Sequence, residues 1–143
     1  MIKKDLSVLK LKNLSSNNKT SVIYSNFKSK LEDSVKKNTF LVAVSGGPDS
    51  LALSALSYAY SKEKKIKTFF VLVDHGIRSN SSKEAQNVKK LLKKKKINLT
   101  ILKNNKQIKK NIQSQAREVR YQLLLNFFKK YKIKFIMTGH HRD

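Results

Sequence analysis

Residues that are scarce in this chain are concentrated in a few short segments. The sequence contains four Gly, one Pro, three His and four Arg, and ten of these twelve residues fall into three clusters. The clusters are residues 45–50 (Ser-Gly-Gly-Pro-Asp-Ser), 75–78 (His-Gly-Ile-Arg) and 139–143 (Gly-His-His-Arg-Asp). The other two residues, Arg117 and Arg120, stand three positions apart. Glycines with hydroxyl, imidazole and guanidinium groups beside them indicate a site that binds an anion and handles protons.

The first cluster has the residue types of a phosphate-binding loop. Gly46 and Gly47 permit close approach of the backbone to an anion, and the start of a following helix supplies N–H donors. The hydroxyls of Ser45 and Ser50 add further donors. The loop lacks the Gly-Lys-Ser/Thr of a Walker A motif and the third glycine of the dinucleotide fingerprint. An ordinary strand-to-helix turn with a capping Ser or Asp is the alternative, but such a turn does not need all six residues.

Asp49 is out of place in a loop that binds phosphate alone, because a carboxylate repels a phosphate. A Mg²⁺ ion between the two groups removes this conflict, since Mg²⁺ is bound through carboxylates and substrate phosphates. We therefore expect Asp49 to hold Mg²⁺.

Arg117 and Arg120 are predicted to lie on one face of a helix, near its N-terminal end. The chain has 28 Lys against four Arg, so Arg at these positions indicates bidentate, planar contacts with phosphate or carboxylate. The alternative is a surface salt bridge, for example with Glu118 or Glu84.

The histidines give a weaker signal than the loop. His75 could contact a nucleotide or only form hydrogen bonds within its own loop. His140 and His141, with Asp143, resemble a metal site, but adjacent His side chains point in different directions and no third ligand has suitable spacing. Phosphate contact or proton handling by one of the two is favoured, and the sequence does not decide which.

Short apolar runs rich in Val and Phe precede the three clusters and predict strands buried on both faces of a parallel sheet. These runs are residues 40–44, 69–73 and 135–137, with a weaker fourth run at 99–102. Between them, apolar residues recur at helical spacing, so strands and helices alternate as in a doubly wound α/β fold. The helical patterns run through residues 52–59, 85–92 and 112–127, and an amphipathic stretch at 22–35 predicts a helix before the first strand.

We expect a mostly parallel sheet with helices on both faces, which brings all three clusters to one edge. Each cluster directly follows a strand, and open α/β folds bind ligands at the carboxyl ends of their strands. Residues 81–84 (Ser-Ser-Lys-Glu) are interpreted as a capping box that opens one of the helices. Residues 1–19 are expected to form a flexible arm, and residues 20–143 the main domain.

The composition excludes several classes of protein. With 143 residues the chain has the length of one domain, and it contains no Cys, which excludes disulfides, thiolate metal sites and a cysteine nucleophile. The first 14 residues lack the continuous apolar stretch of a signal peptide, so we expect a cytoplasmic protein without a membrane segment. The formal net charge of +23 favours a polyanionic partner such as nucleic acid, although a Lys-rich solvated surface explains it equally well.

The loop at residues 45–50, after the strand at 40–44, resembles the pyrophosphate-binding loop of the N-type ATP pyrophosphatases. Three further stretches resemble one family within this superfamily, the tRNA(Ile)-lysidine synthetases. They are residues 73–78 with Glu84 and Ala85, residues 111–121, and residues 138–143. The four stretches are in register over roughly residues 38–143, which makes the resemblance specific.

The resemblance implies an adenine nucleotide alpha hydrolase-like fold, related to the Rossmann fold, and ligation of lysine to C2 of the wobble cytidine of tRNA(Ile) with a CAU anticodon. ATP would first adenylate the C2 oxygen and release pyrophosphate, and free lysine would then displace AMP. ATP and Mg²⁺ are the implied cofactors. The implied nucleotide-binding residues are Ser45, Gly46, Gly47, Pro48, Asp49, Ser50, Val73 and His75, and the implied catalytic residues are Asp49, Arg117, Arg120, His140 and Asp143.

The sequence ends at Asp143, where the family pattern continues with further acidic residues. We therefore expect residues 20–143 to be the N-terminal part of a catalytic domain, without the C-terminal domains that grip tRNA and inactive alone. Another N-type pyrophosphatase, a non-catalytic nucleotide-binding module of the same fold and a basic RNA-binding protein are the alternatives. The tRNA-thiolating relatives rely on Cys, which this sequence lacks, and the Lys runs lack the interleaved aromatics of an RNA-binding module.

Overall fold

The computed structural model describes residues 18–77, 79–105 and 107–139, with side chains from residue 21 onward. Within these residues, four helices and four strands alternate, as the apolar periodicity predicts. The elements are α1 (Asn18–Ser34), β1 (Phe40–Ala43), α2 (Pro48–Lys64), β2 (Thr68–Asp74), α3 (Ser81–Lys93), β3 (Leu99–Lys103), α4 (Ile112–Lys130) and β4 (Phe135–Thr138). Helix α1 begins four residues earlier than the pattern at residues 22–35 predicts.

The four strands form one parallel sheet in the order β3-β2-β1-β4. The chain proceeds outward from β1 to β2 and β3, and then returns to place β4 on the other side of β1. The strand order therefore reverses between β1 and β4, which is the position where doubly wound folds form a ligand crevice. The expected α/β fold with a parallel sheet is confirmed.

Strand β1 separates two hydrophobic cores because its side chains alternate between the two faces of the sheet. Phe40 and Val42 pack with residues of α1, α2 and α3 on one face. Leu41 and Ala43 pack with Leu124 of α4 on the other face. All four residues of β1 are buried, so the uninterrupted apolar run reflects a strand that is covered by helices on both sides.

Each of the crossover helices α2, α3 and α4 ends in the same way. An isoleucine just after the helix donates its N–H to a carbonyl five residues earlier, in bonds of 3.0 Å: Ile66 to Ser61, Ile97 to Leu92 and Ile133 to Phe128. The residue before each isoleucine is a lysine in the left-handed conformation, with φ of 56° at Lys65, 66° at Lys96 and 52° at Lys132. This is a Schellman ending, and the three isoleucines, all buried, supply its usual apolar contact. The motif stops each helix and aims the chain into the next strand.

In the part of the chain that the structure describes, no helix combines the length and apolarity that a bilayer crossing requires.

Candidate functional site

The loop of residues 45–47 connects β1 directly to α2 at the carboxyl edge of the sheet. Val44 extends β1 through an N–H bond of 2.7 Å to the carbonyl of Val71. Gly47 precedes α2 in an extended conformation, Pro48 occupies the start of the helix, and no side chain caps it. The first N–H groups of a helix lack partners within the helix and attract anions. The start of α2 is thus able to receive a phosphate.

Ser50 supports this loop from inside. The backbone N–H of Ser45 donates to Ser50 Oγ at 2.6 Å, and the N–H of Gly47 approaches Ser45 Oγ at 3.4 Å. The side chain of Ser54 in turn donates to the carbonyl of Ser50 at 2.9 Å. Ser50 is buried, so in this geometry its hydroxyl holds the loop in shape, whereas Ser45 faces the cavity described below.

Gly139 directly follows β4 and packs closely against the start of α2. A Cβ atom placed on Gly139 would lie 2.9 Å from both the Cα and the N of Ser50, a distance that only a glycine avoids. The first and third clusters of scarce residues therefore touch at the point where the strand order reverses. His140, His141 and Asp143 lie outside the described residues, as does Arg78, and their predicted roles stay predictions.

A cavity of about 220 Å³ opens beside the loop at the ends of β1 and β2. It is lined by Ser45 and Gly46 from the loop, Val73 and His75 from the end of β2, and Arg120 from α4, among others. The sequence clusters thus converge at one edge, and Arg120 adds a positive charge to it.

Of the two arginines, only Arg120 lines this cavity. Arg120 is partly buried, whereas Arg117, one turn closer to the start of α4, is exposed. The two therefore do not contribute equally to the cavity in this structure. Arg120 lies one turn before Leu124, which is buried against the sheet, and this packing directs that part of α4 to the cavity.

His75 is fixed by hydrogen bonds within its loop. Its Nδ1 accepts the N–H of Ile77 at 3.2 Å, and its carbonyl accepts Asn104 Nδ2 at 3.1 Å. These are the loop contacts that the sequence left as an alternative, and they orient the ring while it still lines the cavity.

Asp74, which the sequence reasoning did not single out, lines the cavity and accepts three hydrogen bonds. Its Oδ1 accepts Ser81 Oγ at 2.7 Å and the N–H of Gly76 at 3.1 Å, and its Oδ2 accepts Ser82 Oγ at 2.7 Å. Burial raises the pKa of Asp74, but the bonds from Ser82, Ser81 and Gly76, with the positive charge of Lys103, outweigh it and lower the pKa below its usual value. Asp74 is therefore held as an anion that joins the end of β2 to α3.

The interpretation of residues 81–84 as a capping box is wrong. Asn80, not Ser81, is the residue before α3, and its carbonyl accepts the N–H of Glu84 at 3.0 Å. Ser81 and Ser82 turn toward Asp74 instead, because a buried carboxylate is costly unless hydroxyl or N–H groups bond to it. The signal in the sequence was an acidic residue ending an apolar strand, followed closely by two serines.

Asp49 lies in the first turn of α2, partly buried beside the loop. A single carboxylate next to a phosphate-binding loop fits Mg²⁺, which takes one or two carboxylates together with phosphate oxygens and water. Among the described residues, no group of three or more His, Cys, Asp or Glu is placed to hold a metal ion.

Several known proteins are similar to this chain. The tRNA(Ile)-lysidine synthase of Wolbachia pipientis wMel is 41% identical over 111 residues, which cover 74% of this chain and 25% of the relative. That of Orientia tsutsugamushi (strain Boryong) is 40% identical over 103 residues, covering 71% and 23%. The chain therefore spans about a quarter of the length of these curated relatives.

A solved structure shares the fold. The U34-tRNA thiolase NcsA from Methanococcus maripaludis, solved with its 4Fe-4S cluster, superposes with a TM-score of 0.64 at 19% identity, covering 92% of this chain and 50% of that one. This likeness concerns the fold alone. At the level of sequence, residues 18–143 match the PP-loop domain family. That match covers most of the chain and includes the loop, the cavity and the sheet edge described above, so the chain belongs to the PP-loop domain family.

Proposed function

We propose that this chain provides the ATP-using part of a tRNA(Ile)-lysidine synthase. The observation that supports this most is the convergence of Ser45 and Gly46 of the loop, His75 and Arg120 around one cavity at the carboxyl edge of the sheet. The names of the relatives at 40 and 41% identity agree with this assignment.

The proposed reaction has two steps. The C2 oxygen of the wobble cytidine attacks the α-phosphorus of ATP, and the bond to pyrophosphate breaks. The ε-amine of free lysine then attacks C2, the bond from carbon to the AMP oxygen breaks, and the amine loses a proton. The tRNA gains lysine, and AMP and pyrophosphate leave.

The residues of the site suit the first step. The N–H groups at the start of α2 would hold the pyrophosphate, and Asp49 would hold Mg²⁺, which spreads the negative charge of the phosphates when it is bound. Arg120 would stabilise the charge that develops on the α-phosphate. Arg117, His140 and Asp143 are further candidates for the site, and His75 and Val73 would border the nucleoside.

The proposed partners are a tRNA(Ile) with a CAU anticodon and free lysine, with ATP and Mg²⁺, in the cytoplasm where tRNA is modified. Lysine ligation is favoured over a sulfur-transfer reaction like that named for the solved neighbour, because the lysidine synthase relatives are 40 and 41% identical and the neighbour only 19%.

Labelled lysine, ATP, Mg²⁺ and a tRNA(Ile) transcript test this function on the protein encoded by the complete gene. Lysine is expected to enter the tRNA only with ATP, and not when the wobble cytidine is changed to uridine. Asp49→Asn is expected to lower incorporation at least tenfold, whereas Asp33→Asn, the same change on the exposed part of α1, leaves it intact. Incorporation without ATP, or equal activity of both variants, would refute the proposal.

A further inference from the structure

A second cavity lies at the opposite edge of the sheet from the loop of residues 45–47. It has a volume of about 450 Å³, roughly twice that of the cavity beside the loop. It opens where α2 and α3 end and β2 and β3 begin. Four lysines line it, namely Lys62, Lys65, Lys67 and Lys96. We call this the amino-edge cleft; among the described residues that line it, none is acidic.

The amino-edge cleft is the centre of a wider concentration of positive charge. The segments that join each helix to the next strand, residues 35–39, 61–67, 93–98 and 129–134, contain two, four, four and four lysines. Together they hold half of the 28 lysines of the chain in 24 residues, with Glu63 as their one acid. Glu63 forms an ion pair with Lys28 of α1, which does not line the cleft.

Helix stability accounts for Lys62, which lies in the last turn of α2, but not for the other three lysines of the amino-edge cleft. Cations in the last turn of a helix interact favourably with its dipole, but Lys65 and Lys96 lie beyond the last turn. Their φ values of 56° and 66° belong to a conformation that favours Gly and costs other residues free energy. Lys67 lies still further along, next to the first residue of β2. At Lys65, Lys67 and Lys96 the positive charge is thus present where the backbone gains nothing from a lysine.

The chemistry of the amino-edge cleft fits the phosphate groups of a nucleic acid backbone. Lysines act as strongly hydrated point charges, which attract phosphates without reading bases. Ser61, Thr68 and Asn98 add uncharged hydrogen-bonding groups to its lining. A cleft of this kind contributes affinity and salt dependence more than sequence specificity.

We propose that the amino-edge cleft binds the phosphate backbone of the tRNA whose wobble base enters the opposite edge. This rests on the proposed function, which supplies the RNA. Strand β2 has seven residues, so the two edges are separated by about 23 Å, a distance spanned by on the order of seven stacked nucleotides. One tRNA molecule can therefore reach both edges.

The test compares two variants of the complete gene product with the same loss of charge. One carries Lys62→Gln, Lys65→Gln, Lys67→Gln and Lys96→Gln. The control carries four changes at exposed positions of α1 and α3: Lys30→Gln, Lys83→Gln, Lys89→Gln and Lys90→Gln. Binding of tRNA(Ile) is measured over a range of NaCl concentrations, and thermal unfolding verifies that both variants fold.

The cleft variant is expected to bind tRNA at least tenfold more weakly near 0.1 M salt. The plot of log K against log salt is also expected to become less steep by about two to four, because each phosphate contact contributes about 0.7–0.9 to its steepness. The control is expected to change affinity less than threefold. Replacing the four cleft lysines by Arg should preserve binding, which separates lost charge from a misfolded cleft. Binding of ATP is expected to be the same in all variants.

Equal losses in the two glutamine variants, or unchanged binding by the cleft variant, would overturn this inference. If the cleft variant binds tRNA normally while wild-type protein still incorporates lysine, only the cleft proposal fails. If wild-type protein does not bind tRNA at all, the proposed function fails with it. A third outcome is that the cleft binds inorganic phosphate at millimolar concentration, while the cleft changes have no effect on the binding of tRNA. This would identify a small-anion site and also overturn the proposal.

Discussion

Gly139 allows β4 to pack closely against the start of α2, next to the loop of residues 45–47. Its absent side chain leaves room for the backbone of Ser50, which a Cβ would approach to 2.9 Å. Close contact between two backbones cannot be relieved by a change of rotamer, so any substitution must push β4 away from α2.

Gly139→Ala is therefore expected to lower the free energy of unfolding by about 1–3 kcal/mol, and also to weaken ATP binding. Urea unfolding and titration with ATP measure the two effects. Gly46→Ala is the matched control for stability, because its Cβ would meet only Val88 Cγ2 at an ordinary 3.7 Å. Equal stability of the two variants would show that the contact between Gly139 and Ser50 is not tight.

Asp74 makes the stability of the cavity wall depend on pH. Its pKa is lowered in the folded state, despite the opposing effect of burial, by the bonds from Ser82, Ser81 and Gly76. A lowered pKa stabilises the fold above the pKa of the unfolded chain, near 4, and this stabilisation is lost as the pH falls through the folded value.

Asp74→Asn is expected to destabilise the protein at pH 7 by about 1–3 kcal/mol, because the charged acceptor of three buried or partly buried hydrogen bonds is lost. The difference between wild type and variant should shrink as the pH falls below about 4. Urea unfolding at several pH values measures this. A constant difference over the whole pH range would contradict the proposed ionisation of Asp74.

At the scale of elements, the endings of the helices show a conflict between backbone preference and charge. The described crossover helices each place a lysine in the left-handed position where glycine is favoured. Lys65 and Lys96 line the amino-edge cleft, so the proposed binding role implies that stability is reduced in favour of binding at these two positions.

Lys96→Gly is expected to raise the free energy of unfolding by up to about 1 kcal/mol, because glycine adopts φ of 66° without strain. Lys94→Gly removes the same charge two residues earlier, at φ −59° and ψ −24°. It should instead destabilise the protein by about 0.5–1 kcal/mol. The pair of variants, compared by thermal or urea unfolding, must therefore change stability in opposite directions, and changes of the same sign would refute the backbone argument.

At the scale of the whole molecule, the sequence predicted the elements well because their cause is local. Uninterrupted apolar runs such as Leu41–Val42–Ala43 become strands when both faces are covered, and here they are. The convergence of the clusters followed from the parallel arrangement of the strands. The position of β4 beside β1 was not predicted, since it depends on which side of the sheet the last crossover takes.

Side-chain partners were harder to predict because they depend on contacts between distant segments. Ser81 and Ser82 had the spacing of a helix cap, and only the buried position of Asp74 redirects them. Arg117 and Arg120 have the same residue type and neighbouring positions, but packing of α4 brings only Arg120 to the cavity. Local pattern was informative about elements, and tertiary packing determined the partners.

In the proposed reaction, AMP is transferred from ATP to tRNA at the carboxyl edge of the sheet. ATP labelled in its α-phosphate, incubated with the complete gene product and tRNA(Ile) but without lysine, tests it most directly. The α-phosphate label should become attached to the tRNA, and added lysine should then release it as AMP. ATP labelled in the γ-phosphate should transfer no label to the tRNA. Release of ADP, or AMP formation that does not depend on the tRNA, would contradict the account.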